Sequence, residues 1–131
     1  MATEVNYAER RGDILRELDG LRAEVDTEKG IGYLILDREP LNIVSYTGRS
    51  QICALIEAFD EDDDVGVIVI RGANGVFSSG GDVKRFPQIP KNKMSDLADN
   101  IGAPERASKP VIAALEKYAF GVAFELSLAC D

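Results

Sequence analysis

The run Val65-Gly66-Val67-Ile68-Val69-Ile70 constrains the fold more than any other segment of the chain. It is β-branched, uncharged and not alternating, which suits a strand covered on both faces, and such strands occur in parallel sheets flanked by helices. Parallel neighbours need long crossover connections, so helical patterns are expected between the strands. Ser45 is placed to cap a helix carrying Ile52, Leu55, Ile56 and Phe59 on one face and ending near Asp60. After the run come a glycine-rich loop from Gly72 to Gly81 and a polar linker from Pro87 to Lys93. A weakly amphipathic helix over Ser95 to Ala107 follows, broken by Lys109-Pro110. Val111 to Leu115 reads as a short strand, and Gly121 to Cys130 as an apolar helix. Upstream, Arg22 to Asp26, the turn Thr27-Glu28-Lys29-Gly30 and the apolar run Ile31 to Leu36 form a hairpin pattern. Ile14, Leu15, Leu18 and Leu21 recur at helical spacing, predicting a peripheral amphipathic helix over Tyr7 to Leu21. The expected organisation is an N-terminal helix within 1–21 and one α/β domain over 22–131.

Composition narrows the chemistry. At 131 residues the chain has the length of one domain with one core. Its formal net charge of −8 disfavours attraction to phosphate backbones and anionic lipid, so neither nucleic acid nor a membrane is expected as a partner. No stretch approaches a membrane span, and the start lacks the basic and apolar regions of a signal peptide, giving a cytoplasmic expectation. There is no histidine. That removes Ser-His-Asp and Cys-His machinery, HExxH zinc sites and imidazole proton transfer together, leaving carboxylates, Lys, Tyr, thiols and backbone amides. Cys53 and Cys130 lie far apart with no CxxC, which fits a reduced environment and argues against a thiolate metal cluster.

Several segments could carry chemistry. The acidic run Asp60 to Asp64 suggests a cation site, yet an EF-hand loop begun at Asp60 would need Gly and Glu where Val65 and Arg71 stand, so a solvated loop is expected. The loop Gly72 to Asp82 follows the central strand, where α/β proteins place ligands, but it is neither a GxGxxG fingerprint nor a P-loop. Its Gly80-Gly81 pair serves either a ligand brought close to the backbone or a tight turn with none. Glu125 is the only charge from Tyr118 to Cys130, with Gly121, Val122, Leu128 and Ala129 as helical neighbours. A carboxylate desolvated this way has a raised pKa and suits general acid or base work, and the alternative is a structural ion pair. The Gly121-Val122 start of that helix offers free amides nearby. Cys53 reads as core, and Tyr118 as core or a phenol donor.

Three ordered blocks carry a resemblance. Phe77-Ser78-Ser79-Gly80-Gly81-Asp82-Val83-Lys84, then Lys109-Pro110-Val111-Ile112-Ala113-Ala114, then Tyr118-Ala119-Phe120-Gly121 with Glu125 through Asp131, resemble the crotonase (enoyl-CoA hydratase/isomerase) superfamily. Arg38-Glu39-Pro40-Leu41-Asn42 and the strand before Arg71-Gly72 match in order and spacing, so the resemblance covers about Glu24 to Asp131. It implies an α/β crotonase-like ββα spiral core, C-terminally truncated, since the fold is usually about twice as long. It further implies that the Gly81 and Val122 amides hold a thioester oxygen as it becomes an enolate, with Glu125 as a catalytic carboxylate. Arg38, Lys84 and Arg85 fall where basic residues lie near the phosphates of coenzyme A, and Ser79, Gly80, Asp82 and Val83 share the substrate-binding segment.

Lys117 departs from the family at a place where glycine is common, as do Val122, Ala123 and Phe124 in what is usually a glycine-rich turn. The second carboxylate of the hydratases, and the helices that cover the site and build trimers, would lie beyond Asp131. The implied activity is enoyl-CoA hydration on an acyl-CoA thioester, with isomerisation or C–C hydrolysis of a CoA thioester, or a noncatalytic binding module, as alternatives. No cofactor is implied beyond the coenzyme A of the substrate, and the full-length form is expected to be a homo-oligomer, a trimer or hexamer.

Overall fold

The computed structural model describes residues 1–93 and 96–131. β2 (Leu21–Asp26) and β3 (Ile31–Leu36) pair antiparallel as the predicted hairpin. Its turn closes through the Gly30 amide donating to the Asp26 carbonyl at 2.8 Å, while Asp26 Oδ1 accepts from the amides of Glu28 and Lys29. β1 (Thr3–Glu4) adds antiparallel to β2; β4 (Val67–Gly72) and β5 (Val111–Ala114) add in parallel, giving one sheet in the order β1-β2-β3-β4-β5. The crossover from β3 to β4 is α2 (Tyr46–Glu61), capped as expected by Ser45, whose hydroxyl oxygen accepts from the Gly48 amide at 2.9 Å.

The packing side of the sheet is fixed by α2. Phe59 is fully buried, and a Cβ on Gly32 would lie 2.6 Å from its ring, so β3 can approach the helix only with glycine there. Ile68 and Ile70 of β4 are also fully buried, whereas Val67, Val69 and Arg71 are half-buried. The strand expected to be covered on both faces is therefore sealed on one and partly open on the other, where Arg71 lies over the Tyr33 ring at 5.8 Å. It also starts later than predicted, because Val65 closes the loop after α2 by donating to the Asp62 carbonyl.

Two helical expectations are corrected. In place of a helix over Tyr7 to Leu21 there is α1 (Ala8–Arg11), a 3-10 turn (Asp13–Leu15) and then β2. Gly12 at φ +80 and Gly20 at φ +69 break the helical path, since left-handed backbone belongs to no helix interior. Nor is the segment peripheral: Tyr7 and Leu15 are buried, and the Tyr7 ring stands edge-on to Phe59 at 5.3 Å. The helix expected over Ser95 to Ala107 begins outside the described residues and is split into α3 (Asp96–Ile101) and α4 (Ala103–Arg106) at Gly102, where Pro104 follows at the new start.

The acidic run ties layers together. Asp60 accepts from the amides of Ser108 and Lys109 and from the Ser108 hydroxyl, and Lys109 Nζ donates to the carbonyls of Phe59 and Asp62. Burial opposes the charge on Asp62, but the Tyr7 hydroxyl and the Asp64 amide outweigh it and hold the carboxyl below its ordinary range. Among the described residues no three carboxylates or thiols gather in a metal-binding group. No helix among them is long and apolar enough to cross a membrane.

α5 (Val122–Leu128) completes the described elements. Around it and β5, the side chains of Ile112, Leu115, Phe120, Phe124 and Leu128 are 48–67% exposed, more large apolar side chains than a solvated surface ordinarily presents in so short a stretch of chain. The 131-residue chain is expected to self-associate through this face, so its mass by light scattering should rise with concentration. A monomer mass that stays constant into the hundred-micromolar range would refute this.

Candidate active site

The chain beyond each parallel strand is laced into a second, shorter ladder. Phe77 and Ser78 amides donate to the carbonyls of Glu116 and Tyr118, the Phe120 amide returns a bond to Ser78, and the Ser79 amide donates to Leu41. Val44 donates to the Gly80 carbonyl at 2.9 Å. Asn42, buried and at φ +53, locks the assembly: its side-chain amide donates to the carbonyls of Ala73 and Val76, and its own carbonyl accepts from the Ser78 hydroxyl. Three connections are thus held together past the carboxyl ends of β3, β4 and β5, where open parallel sheets bind ligands.

Two glycine turns meet there. Gly80 has φ +103, and a Cβ on it would stand 2.7 Å from the Phe120 carbonyl oxygen; Gly121, at φ +54, backs onto Gly80. This close approach, which side chains would forbid, sets Gly81 beside Val122, with the Cβ position of Gly81 3.8 Å from Val122 Cγ1. Among the described residues neither the Gly81 nor the Val122 amide donates a hydrogen bond. Both residues face a cavity of about 330 Å³ whose wall also holds Glu125, the apolar Val44, Phe86, Ile89 and Leu97, and the side chains of Tyr46 and Arg49. Unpaired amides at the edge of an apolar cavity can accept a developing anion, and a carboxylate one turn along the helix can exchange a proton beside it.

A more polar cavity of about 370 Å³ adjoins it, sharing Tyr46, Asp82, Arg85 and Ile89 and lined further by Asp19, Arg38 and Ser45. Arg38 pairs with Asp19, and the Ser45 hydroxyl donates to the same carboxylate. The Ser45 hydroxyl and the Arg38 guanidinium hold the Asp19 carboxyl below its ordinary range against the opposing effect of burial. Thiol chemistry is not poised here: burial pushes both Cys53 and Cys130 up to about 11, so both are protonated at neutral pH.

A family described as enoyl-CoA hydratase/isomerase matches residues 26–131. The chain belongs to the enoyl-CoA hydratase/isomerase family. A probable mitochondrial enoyl-CoA hydratase of Dictyostelium discoideum is 35% identical over 104 residues, covering 77% of this chain and 38% of that protein. A probable enoyl-CoA hydratase of Rhizobium meliloti is 34% identical, covering 82% and 43%. The crystal structure of an enoyl-CoA hydratase/isomerase from Xanthobacter autotrophicus Py2 superposes with a TM-score of 0.79 at 28% identity, over 88% of this chain and 45% of that one. The chain therefore has the crotonase fold and spans less than half the length of the relatives it matches.

Within that family frame the expected site residues separate. Gly81, Val122 and Glu125 are brought together at one cavity, with Ser79, Asp82, Val83 and Arg85 on its wall. Gly80 lies behind the wall: it is buried, its carbonyl accepts from Val44, and its amide donates to the Ser78 hydroxyl. Arg38 lines the neighbouring cavity, while Lys84 is exposed and lines neither. Glu125 departs from expectation in one respect. It is exposed, because the apolar Phe124 and Leu128 around it face outward and do not bury it. Tyr118 is not core: it is 42% exposed and stacks on Phe120 at 5.7 Å. Lys117 reaches the left-handed φ of +56 at the position where glycine is common, so the altered turn is kept at a cost in strain.

Sequence reasoning missed Tyr46 and Arg49. The signal for Arg49 was present: it lies three residues before Ile52 and seven before Ile56, a charge on the face of α2 that turns inward.

Proposed function

We propose that this chain supplies the acyl-CoA-binding half of an enoyl-CoA hydratase site, with the Gly81 and Val122 amides as the oxyanion hole and Glu125 as a proton-transfer carboxylate. The observation that supports this best is the pair of unpaired amides set side by side in the wall of a cavity that also holds Glu125. In hydration, the water oxygen bonds to the β carbon of the enoyl group and the π electrons move toward the thioester, whose oxygen becomes the enolate oxyanion. The amides stabilise that charge more than the neutral carbonyl, which is what lowers the barrier. The water gives up a proton and the α carbon gains one, and Glu125 serves one of these transfers. The polar cavity next door, where Arg38 and Arg85 stand beside Asp19 and Asp82, accommodates the phosphates of coenzyme A, the arginines exchanging their aspartate partners for phosphate.

The thioester is accordingly expected to bind better than the corresponding free acid, by about tenfold or more at low ionic strength, with the advantage shrinking as salt is raised. Titration calorimetry with butyryl-CoA and butyrate checks this. Equal affinity for the two at low salt would remove the acyl-CoA assignment.

A further inference from the structure

Arg49 is a charged side chain in the cavity wall to which the hydration chemistry gives no task. It projects from the first turns of α2, is 9% exposed, and has Nε and Nη2 buried without a hydrogen-bond partner among the described residues. Neither acid in the same wall pairs with it: Asp82 faces Arg85 at 3.5 Å, and Glu125 forms no ion pair among the described residues. The Tyr46 ring, 4.9 Å from the guanidinium carbon, offsets part of the cost of burying the charge but satisfies no N–H. Buried charged groups are ordinarily paired, and an unpaired one is costly. Val44, Phe86, Ile89 and Leu97 make the surroundings apolar, which sharpens the need for an anion.

We propose that Arg49 is a specificity-determining residue that receives a carboxylate at the far end of the acyl group, so that the substrate class of this site is the acyl-CoA thioesters carrying a second, free carboxylate. The inference rests on the acyl-CoA reading of the cavity given above. The geometry of the unpaired donors supports a carboxylate in particular: Nε and Nη2 form one edge of the guanidinium, the edge that donates two parallel hydrogen bonds to the two oxygens of a carboxylate. A plain hydrocarbon tail in the same cavity would shield the guanidinium from water further and leave both donors unmet. Such a tail is therefore discriminated against by the charge it fails to pair, the same asymmetry by which a polar site rejects an analogue lacking the polar group.

The test compares glutaryl-CoA, pentanoyl-CoA and free coenzyme A by calorimetry on the chain and on Arg49→Gln and Arg49→Lys. The two esters have acyl chains of equal carbon number and differ in the terminal carboxylate. Glutaryl-CoA is expected to bind at least about tenfold more tightly than pentanoyl-CoA. Arg49→Gln should abolish that preference by weakening glutaryl-CoA and tightening pentanoyl-CoA, which no longer shields an unmet charge, with free coenzyme A unchanged, and Arg49→Lys should keep part of it. Equal binding of the two esters, unaffected by Arg49→Gln, overturns the inference and leaves the acyl-CoA reading standing. Arg49→Gln weakening all three ligands alike also overturns it, since the guanidinium would then be meeting a phosphate of coenzyme A. If none of the three binds, the acyl-CoA reading falls and the inference with it. Thermal unfolding of Arg49→Met without ligand gives an independent readout: removing an unpaired buried charge should leave the midpoint equal or raise it by about 4 °C, whereas a fall of that size would mean that Arg49 is held for structure and would overturn the proposal.

Discussion

Glu125→Gln is expected to lower enoyl-CoA hydration by about 10²–10⁴-fold in a protein of the family's full length, with little change in thioester affinity. The amide keeps the size and hydrogen-bonding capacity of the carboxylate and removes only its ability to give and take a proton. Stability should not move, because Glu125 is exposed and makes no ion pair among the described residues. That separation gives the experiment its power: a drop in turnover with unchanged unfolding and unchanged binding isolates proton transfer. The exposure of Glu125 carries a second consequence. A carboxylate open to water is a poor match for proton transfer to carbon, because water screens the charge interactions that a closed site strengthens. In the 131-residue chain by itself, the same substitution should therefore have almost no turnover to remove, and only in the longer protein should the large ratio appear. Single-turnover measurements of enoyl-CoA absorbance on both lengths check this, and near-normal hydration by Glu125→Gln in the longer protein would return the residue to a surface role.

Several elements were legible because local chemistry and tertiary packing agree in them. Ser45 caps α2 with the bond its hydroxyl predicts, Asp26 and Gly30 close the hairpin, and Gly121 stands immediately before the apolar helix it was expected to start. The failures share one cause, which is that spacing does not say which way a residue faces. Leu15 and Leu21 are both buried, as their helical spacing suggests, but one closes a 3-10 turn and the other begins a strand, with glycines at positive φ between and before them. Glu125 is isolated among apolar residues in the sequence, yet it lies with Phe124 and Leu128 on the exposed side of α5 while Ala123 and Leu126 take the buried side, so isolation did not translate into burial. Arg49 is the converse, a charge on the inward face of α2 that sequence reasoning passed over and that is nine-tenths buried beside the site. The glycine pair was legible as a device for close approach, but only the structure divides its roles: Gly80 makes the approach and Gly81 is left facing the cavity.

Phe59→Ala is expected to cost about 3–5 kcal/mol, roughly a fifth or more of the stability of an ordinary domain. Phe59 is fully buried, fills the space over Gly32 that no larger residue there could share, and meets the Tyr7 ring edge-on. Truncation would therefore empty a cavity bounded by strand backbone on one side, which cannot collapse into it, and would remove the ring that Tyr7 meets edge-on. The segment keeps polar ties there: the Tyr7 hydroxyl donates to Asp62 at 2.7 Å, Arg11 pairs with Glu57 and Glu61, and Gln51 donates to the Ile14 and Glu17 carbonyls. Phe59→Leu should recover most of the loss, since it restores apolar volume if not shape. Urea unfolding of the three proteins measures the effect, and limited proteolysis within residues 1–20 should report release of the N-terminal segment in Phe59→Ala alone. The consequence reaches the site through α2 itself. Phe59 anchors the far end of the helix whose first turns carry Tyr46 and Arg49 into the cavity wall, so loosening the anchor should weaken thioester binding before the chain unfolds. A loss below about 1 kcal/mol with intact protection of the N-terminal segment would mean that the helix is held chiefly by its other buried residues, and that the site does not depend on this anchor.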